Sequence, residues 1–194
     1  VHNPIGPRGV TVNAGCLDLA IRTDKTTDVV FASCGNFEQA IIYRNSDASG
    51  AGTWDVSLRE SGVGRTAIAI APSNQDVMYA VATSIQNNDS QYSLYAVYRS
   101  TNGGTNWNAQ VRNTDSSKIN RAILAAFAGA VATDCGFDLE DFTIAQGWYD
   151  LAIAVDPVDS NRVWVGGIEL ARYPLASIAG PALVVGLAAM LIFL

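Results

Sequence analysis

Asp150 directly follows Trp148 and Tyr149, and Glu140 and Asp141 lie a short way upstream. Two carboxyl groups held about 5 to 10 Å apart can cleave a glycosidic bond, one as acid and the other as base or nucleophile. Asp150, Glu140 and Asp141 are therefore the catalytic candidates. The same stretch also suits binding without chemistry. Asp150 can accept hydrogen bonds from sugar hydroxyls, while the flat faces of Trp148 and Tyr149 can stack on a sugar ring. Arg65, between Gly64 and Thr66, can hold a carboxylate. Those aromatics can equally pack between neighbouring sheets, and both readings stay open at this point.

Other chemistries lack their residues. The single histidine, His2, sits near the start of the chain, so a Ser-His-Asp triad, a Cys-His pair and a His-based metal site have nothing to build on. No Gly-Lys-Ser phosphate loop occurs, and Gly62, Val63 and Gly64 read as a turn between repeats rather than a dinucleotide fingerprint. Asp156, Asp159 and Asn161 have calcium-type side chains, yet a hairpin turn accounts for them better. No metal and no cofactor are expected. Asn88 to Ser90 spell a glycosylation sequon. A net charge of −6, with 12 scattered Lys and Arg, argues against nucleic acid.

The elements that carry these residues are short. Of 194 residues 49% are hydrophobic and 15% charged, the balance of a folded chain, and 17 glycines punctuate apolar runs. That texture predicts an all-β protein. Three segments repeat one another: Leu17 to Ser33, Ala67 to Ala82 and Leu151 to Val165. Each is an apolar strand, a polar turn, and a second strand with an aromatic, which is a hairpin pattern. Leu19, Ile68 and Ile153 fall at matching positions.

The first two units go on to a third strand ending in an arginine, Ala40 to Arg44 and Leu94 to Arg99. A second turn follows, Asn45 to Trp54 in one copy and Ser100 to Trp107 in the other. This turn resembles the Asp-box, Ser-x-Asp-x-Gly-x-Thr-Trp, of the β-propellers found in sialidases, sortilin-type receptors and xyloglucanase-type glycosidases. Asn102 stands in the Asp position and Asn106 in the Thr position; Asp47 keeps the acid, in a turn two residues longer. The resemblance implies a structural role for Asp47, Trp54, Ser100, Asn102, Gly104 and Trp107, on the side away from ligand. It implies that the loops leading into each innermost strand, at Arg65 and at Trp148 to Asp150, open onto the binding face. The sialidase set of arginines with a Tyr/Glu pair is not assembled by the sequence, and the xyloglucanase-type acids find no matching positions.

Residues 1–173 are thus expected to form a partial propeller of four-stranded antiparallel blades near 17–60, 64–112 and 148–173, the third incomplete, with an insert at 113–147. The insert can supply a helix or a fourth strand. Residues 174–194 carry no charge and are expected as a hydrophobic helix anchoring the chain in a membrane, a buried strand pair or helix being the alternative. Starting at Val1, the sequence reads as a mature or truncated product. Family rings need more blades, from further sequence or another chain. Cys16 and Cys34 fall opposite each other if Ile21 pairs with Val29, and a disulfide there suits a secreted or cell-surface protein, buried thiols being the alternative. Cys135 is left over. The expected function is recognition of a protein or glycan without catalysis, with a glycosidase fragment as the alternative.

Overall fold

A computed structural model describes residues 15–50, 52–86, 91–114, 147–167, 170–174 and 183–185. Among them the chain is all β, and its strands form three four-stranded antiparallel sheets. The first sheet is β1 (Cys16–Arg22), β2 (Val29–Cys34), β3 (Ile41–Asn45) and β4 (Trp54–Arg59), paired in chain order. In the second, β5 (Val63–Ile70), β6 (Met78–Ser84), β7 (Leu94–Ser100) and β8 (Asn108–Arg112) repeat that order. The third contains β9 (Ala152–Val155), β10 (Arg162–Gly166), β11 (Leu170–Pro174) and β12 (Leu183–Val185).

The repeat survives at the level of single pairs. Phe31 faces Arg44, Tyr79 faces Arg99 and Trp164 faces Arg172 across the second and third strands of the successive sheets. The sheets stack face to face through their apolar surfaces. Between the first and second lie Val29, Phe31, Ile42, Ile68, Met78 and Tyr98; between the second and third lie Tyr79, Val81, Val97, Val163 and Val165. Both faces of β6 and β7 are buried, which explains the near-continuous apolar character of those runs. A polar tie joins the innermost strands, where Ile68 N donates to Asp18 Oδ2 at 2.6 Å.

Cys16 and Cys34 form a disulfide, but the strand register differs from the expected one. Ile21 pairs with Val30, and Arg22 with Val29, one residue away from the Ile21 to Val29 pairing. An irregularity between Cys16 and Asp18 inserts Leu17 as an extra residue and brings Cys16 back opposite Cys34. A bulge of this kind shifts the register by one without changing the hairpin turn.

The third sheet is also more complete than expected. Its third strand runs to Pro174, and Leu183–Val185 pair along it as a fourth strand. Those three residues lie in the stretch expected as a helix, with a buried strand pair or helix as the alternative. Val184 and Val185 are β-branched, and β11 offers them an edge to pair with. The rest of the proposed membrane segment lies outside the described residues, as do Cys135, Asn88 to Ser90 and the insert apart from Asn113, Thr114 and Gly147. Among the described residues no helix is long and apolar enough to cross a membrane.

Candidate functional site

In an antiparallel sheet successive connections emerge at opposite edges. The β2–β3 and β6–β7 loops therefore share an edge with the lead-in to β9, and that edge carries the aromatics. Phe37 comes from the first sheet's loop, Tyr92 from the second, and Trp148 and Tyr149 from the approach to the third. Phe37 meets Tyr92 edge-on with centroids 5.7 Å apart and lies 5.6 Å from Trp148; Trp148 and Tyr149 are 4.4 Å apart. Three sheets thus contribute to one row of rings.

Backbone contacts fix the row. Gly147 N donates to Tyr92 O at 3.1 Å, so the lead-in to β9 docks on the second sheet. A Cβ on Gly147 would come within 2.3 Å of the Thr83 methyl and 2.7 Å of Tyr92 O, so only glycine allows this approach. Tyr92 itself adopts φ of 62°, a left-handed conformation that costs a residue with a Cβ free energy. Its amide donates to Ser84 O at 2.7 Å and holds it there.

Arg65 lies beside this row. Its Nη1 donates to Trp148 O at 2.9 Å, so part of the guanidinium expected to meet a ligand instead orients the loop. Asp150 is next along the chain, with Oδ1 buried and lacking a hydrogen-bond partner among the described residues. Burial pushes its carboxyl above the ordinary aspartate value, against smaller opposing effects from its own backbone amide and the Arg65 charge. Of the sequence candidates, Arg65, Trp148, Tyr149 and Asp150 are brought together; Glu140 and Asp141 lie outside the described residues.

Phe37 and Tyr92 were missed by sequence reasoning. Both sit in turn-rich loops, where a lone aromatic carries no periodic signal. Glu60 was missed as well. Its carboxylate accepts from Tyr98 OH at 2.8 Å, from Tyr95 OH at 3.0 Å and from Arg112 Nη1 and Nη2 at 2.7 and 3.1 Å. A glutamate, two tyrosines and an arginine do therefore meet, with Glu60 as their shared acceptor and Tyr95 OH also 2.9 Å from Ser61 O. Arg112 holds that carboxyl below its ordinary value, and burial, followed by Glu60, pushes the Tyr98 phenol well above the usual range. This is a clamp between sheets, with the tyrosines poorly suited to ionise.

The Asp-box-like turns occupy the opposite edge. Ser100 Oγ accepts from Gly104 N at 2.9 Å and donates to Asn102 Oδ1 at 3.0 Å, which in turn accepts from Asn106 N at 2.9 Å. In the first copy Asn45 takes the serine's place, its Oδ1 accepting from Asp47 N at 2.9 Å, while Asp47 Oδ1 accepts from Ser49 N at 3.1 Å. Trp54 packs on the cluster of Cys34, Ile41 and Tyr43. In the Asp156 to Asn161 turn Asp156 Oδ1 accepts from Val158 N and Asp159 N, Asp159 Oδ1 from Asn161 N, and Asn161 Oδ1 from Arg99 Nη2. None of these side chains faces the aromatic row.

No family model matches the chain, and no curated protein matches it. Among solved structures it is similar to a GH74 enzyme of Niastella koreensis, at a TM-score of 0.47 and 18% identity over 78% of this chain. The match covers 21% of that enzyme's chain, about a fifth of its length. The sheet order and face-to-face stacking within the chain itself are consistent with a propeller-like fold.

Proposed function

We propose that this chain is a propeller-type recognition module that binds a glycan, without catalysis, on the aromatic row. The observation that carries this reading is exposure: Phe37, Trp148 and Tyr149 remain 56%, 38% and 47% accessible although their rings touch neighbours. Flat apolar faces held by glycine-dependent loops and left open to water suit stacking on pyranose rings. Arg65 and Asp150 add polar groups at its border. The Cys16–Cys34 bridge is consistent with work outside the cytoplasm. Titration calorimetry against neutral and acidic oligosaccharides tests the proposal. Replacing Trp148 by Ala should weaken the best ligand about tenfold or more, the equivalent of ~1.4 kcal/mol. Unchanged affinity in both Trp148→Ala and Phe37→Ala would sink it.

One observation favours a second reading, a glycosidase. A half-buried carboxyl with a raised pKa and an oxygen unpartnered among the described residues is suited to act as a general acid. Asp150 would then work with Glu140 or Asp141. Turnover of a polysaccharide or sialoside by the chain, abolished in Asp150→Asn with binding retained, would replace the first reading with this one.

A further inference from the structure

Asn102 and Gly103 form the one Asn-Gly step in the sequence; every other asparagine precedes a residue that carries a side chain. At an Asn-Gly step the backbone nitrogen of the glycine can attack the asparagine side-chain amide, because no side chain crowds the ring that forms. This step lies in the second Asp-box-like turn, at the edge opposite the aromatic row.

The turn prepares the electrophile. Asn102 is exposed, yet its Oδ1 accepts from Ser100 Oγ at 3.0 Å and from Asn106 N at 2.9 Å. Attack at Cγ moves negative charge onto that oxygen, and two donors already point at it, as in an oxyanion hole.

The nucleophile, by contrast, is restrained. Gly103 N donates to Asp76 O at 2.9 Å. Asp76 is anchored in turn, its Oδ1 accepting from Nη2 of the buried Arg22 at 2.5 Å and its amide donating to Asn74 Oδ1 at 3.1 Å. Arg22 ends β1 and Asp76 lies in the turn between β5 and β6, so the restraint holds only while the first two sheets stay packed. A single hydrogen bond is worth about threefold to tenfold in rate. It slows the attack without preventing it.

We infer that Asn102 is a site of self-modification, converted to aspartate through a cyclic imide at a rate set by the Arg22–Asp76 tie. Gly103 N loses its proton to solvent and bonds to Asn102 Cγ; the Cγ–Nδ2 bond breaks, and the amide leaves as ammonia with a proton from solvent. Water then opens the imide. Cleavage between Gly103 N and Cγ restores the main chain and leaves aspartate. Opening at the main-chain carbonyl instead would give isoaspartate and lengthen the backbone inside the turn. That would pull apart the 2.9 Å bond between Gly104 N and Ser100 Oγ, so the turn selects aspartate. The new carboxylate keeps both donors of Oδ1, and an acid already fills the matching place in the first turn, where Asp47 Oδ1 accepts from Ser49 N at 3.1 Å. Net charge moves from −6 to −7, one carboxylate being added. The inference goes beyond the glycan reading and does not depend on it.

The test holds the full chain at mildly alkaline pH for weeks and samples it by intact mass, ion exchange and peptide mapping with electron-transfer fragmentation, which separates aspartate from isoaspartate. One more acidic species should grow in, modified at Asn102, mainly as aspartate, and eluting with the Asn102→Asp variant. Asn102→Gln, whose longer side chain disfavours the ring, should not yield it. Asp76→Ala frees the turn from Arg22 and should speed conversion about threefold to tenfold. Circular dichroism reports folding; if that variant unfolds, Asp76→Asn, which keeps the shape and removes the charge, replaces it. Three results would each overturn the inference: Asn102 intact after a synthetic peptide of the same turn has converted, isoaspartate as the main product, or an unchanged rate in the folded Asp76 variant.

Discussion

Trp107 reaches from the second sheet to Ser57 of the first: its Nε1 donates to Ser57 Oγ at 2.9 Å. That hydroxyl donates onward to Gly104 O at 2.5 Å, closing a loop through the Asp-box-like turn. The tryptophan thus joins two sheets in addition to covering its own turn. Ser57→Ala should lower stability by about 1 to 2 kcal/mol, since it strips partners from a partly buried indole N–H and a carbonyl. Trp107→Phe should cost a similar amount, and the double variant less than the sum, as measured by urea unfolding.

Gly104 has φ of +75°, and a Cβ there would lie 2.4 Å from the Phe31 ring of the neighbouring sheet. Gly50 also has positive φ, at +104°, but a Cβ there meets nothing within 4 Å. Gly50→Ala should therefore show conformational strain alone, about 1 kcal/mol. Gly104→Ala adds overpacking of about 1 to 3 kcal/mol. Equal thermal shifts for the two variants would refute this account of the joint.

Glu60 ties stability to pH. The Arg112 hydrogen bonds are the largest cause of its depressed carboxyl pKa, opposed by burial and aided by Tyr98 and Tyr95. Its folded-state pKa lies below its unfolded value, so on acidification the unfolded chain takes up the proton first. The stabilisation is complete above the ordinary glutamate value and is lost as pH falls through the depressed one. Glu60→Gln should cost about 2 kcal/mol at neutral pH, where charged hydrogen bonds are lost. It should also flatten the acid limb of a melting-temperature profile between neutral pH and pH 3.

The Cys16–Cys34 bridge spans 18 residues of sequence. Closing a loop of that size restricts the unfolded chain and contributes about 3 kcal/mol. Reduction by dithiothreitol should lower the melting temperature by the same amount as Cys16→Ser with Cys34→Ser. That double variant should no longer respond to reductant.

Asp150 acts in the opposite sense to Glu60. Its raised carboxyl pKa means that stability is greatest below the ordinary aspartate value and declines as pH rises through the raised one. Asp150→Asn should remove that decline and raise the melting temperature at neutral pH, read by differential scanning calorimetry.

The candidate site was legible in part. Arg65, Trp148, Tyr149 and Asp150 could be grouped because the repeat aligned the strands they precede or begin. Phe37 and Tyr92 could not, since their rings meet only after loops of different sheets reach one edge. The disulfide was legible for a related reason: a hairpin turn brings its own strand ends together, whatever the exact register. The one-residue bulge at Leu17 left no sequence mark, because Leu17 alternates with Leu19 and Ile21 as an unbroken strand would.

What the sequence alone determined is local. Alternating and continuous apolar runs, turn residues and glycines fix each hairpin and each box, because their hydrogen bonds form between residues close in the chain. Tertiary structure alone decided which sheets share faces, how Glu60 meets Arg112 across 52 residues, and where four aromatic rings converge. Those outcomes depend on how apolar faces stack, and a stacking partner is chosen by shape and exclusion of water, which no neighbouring residue encodes.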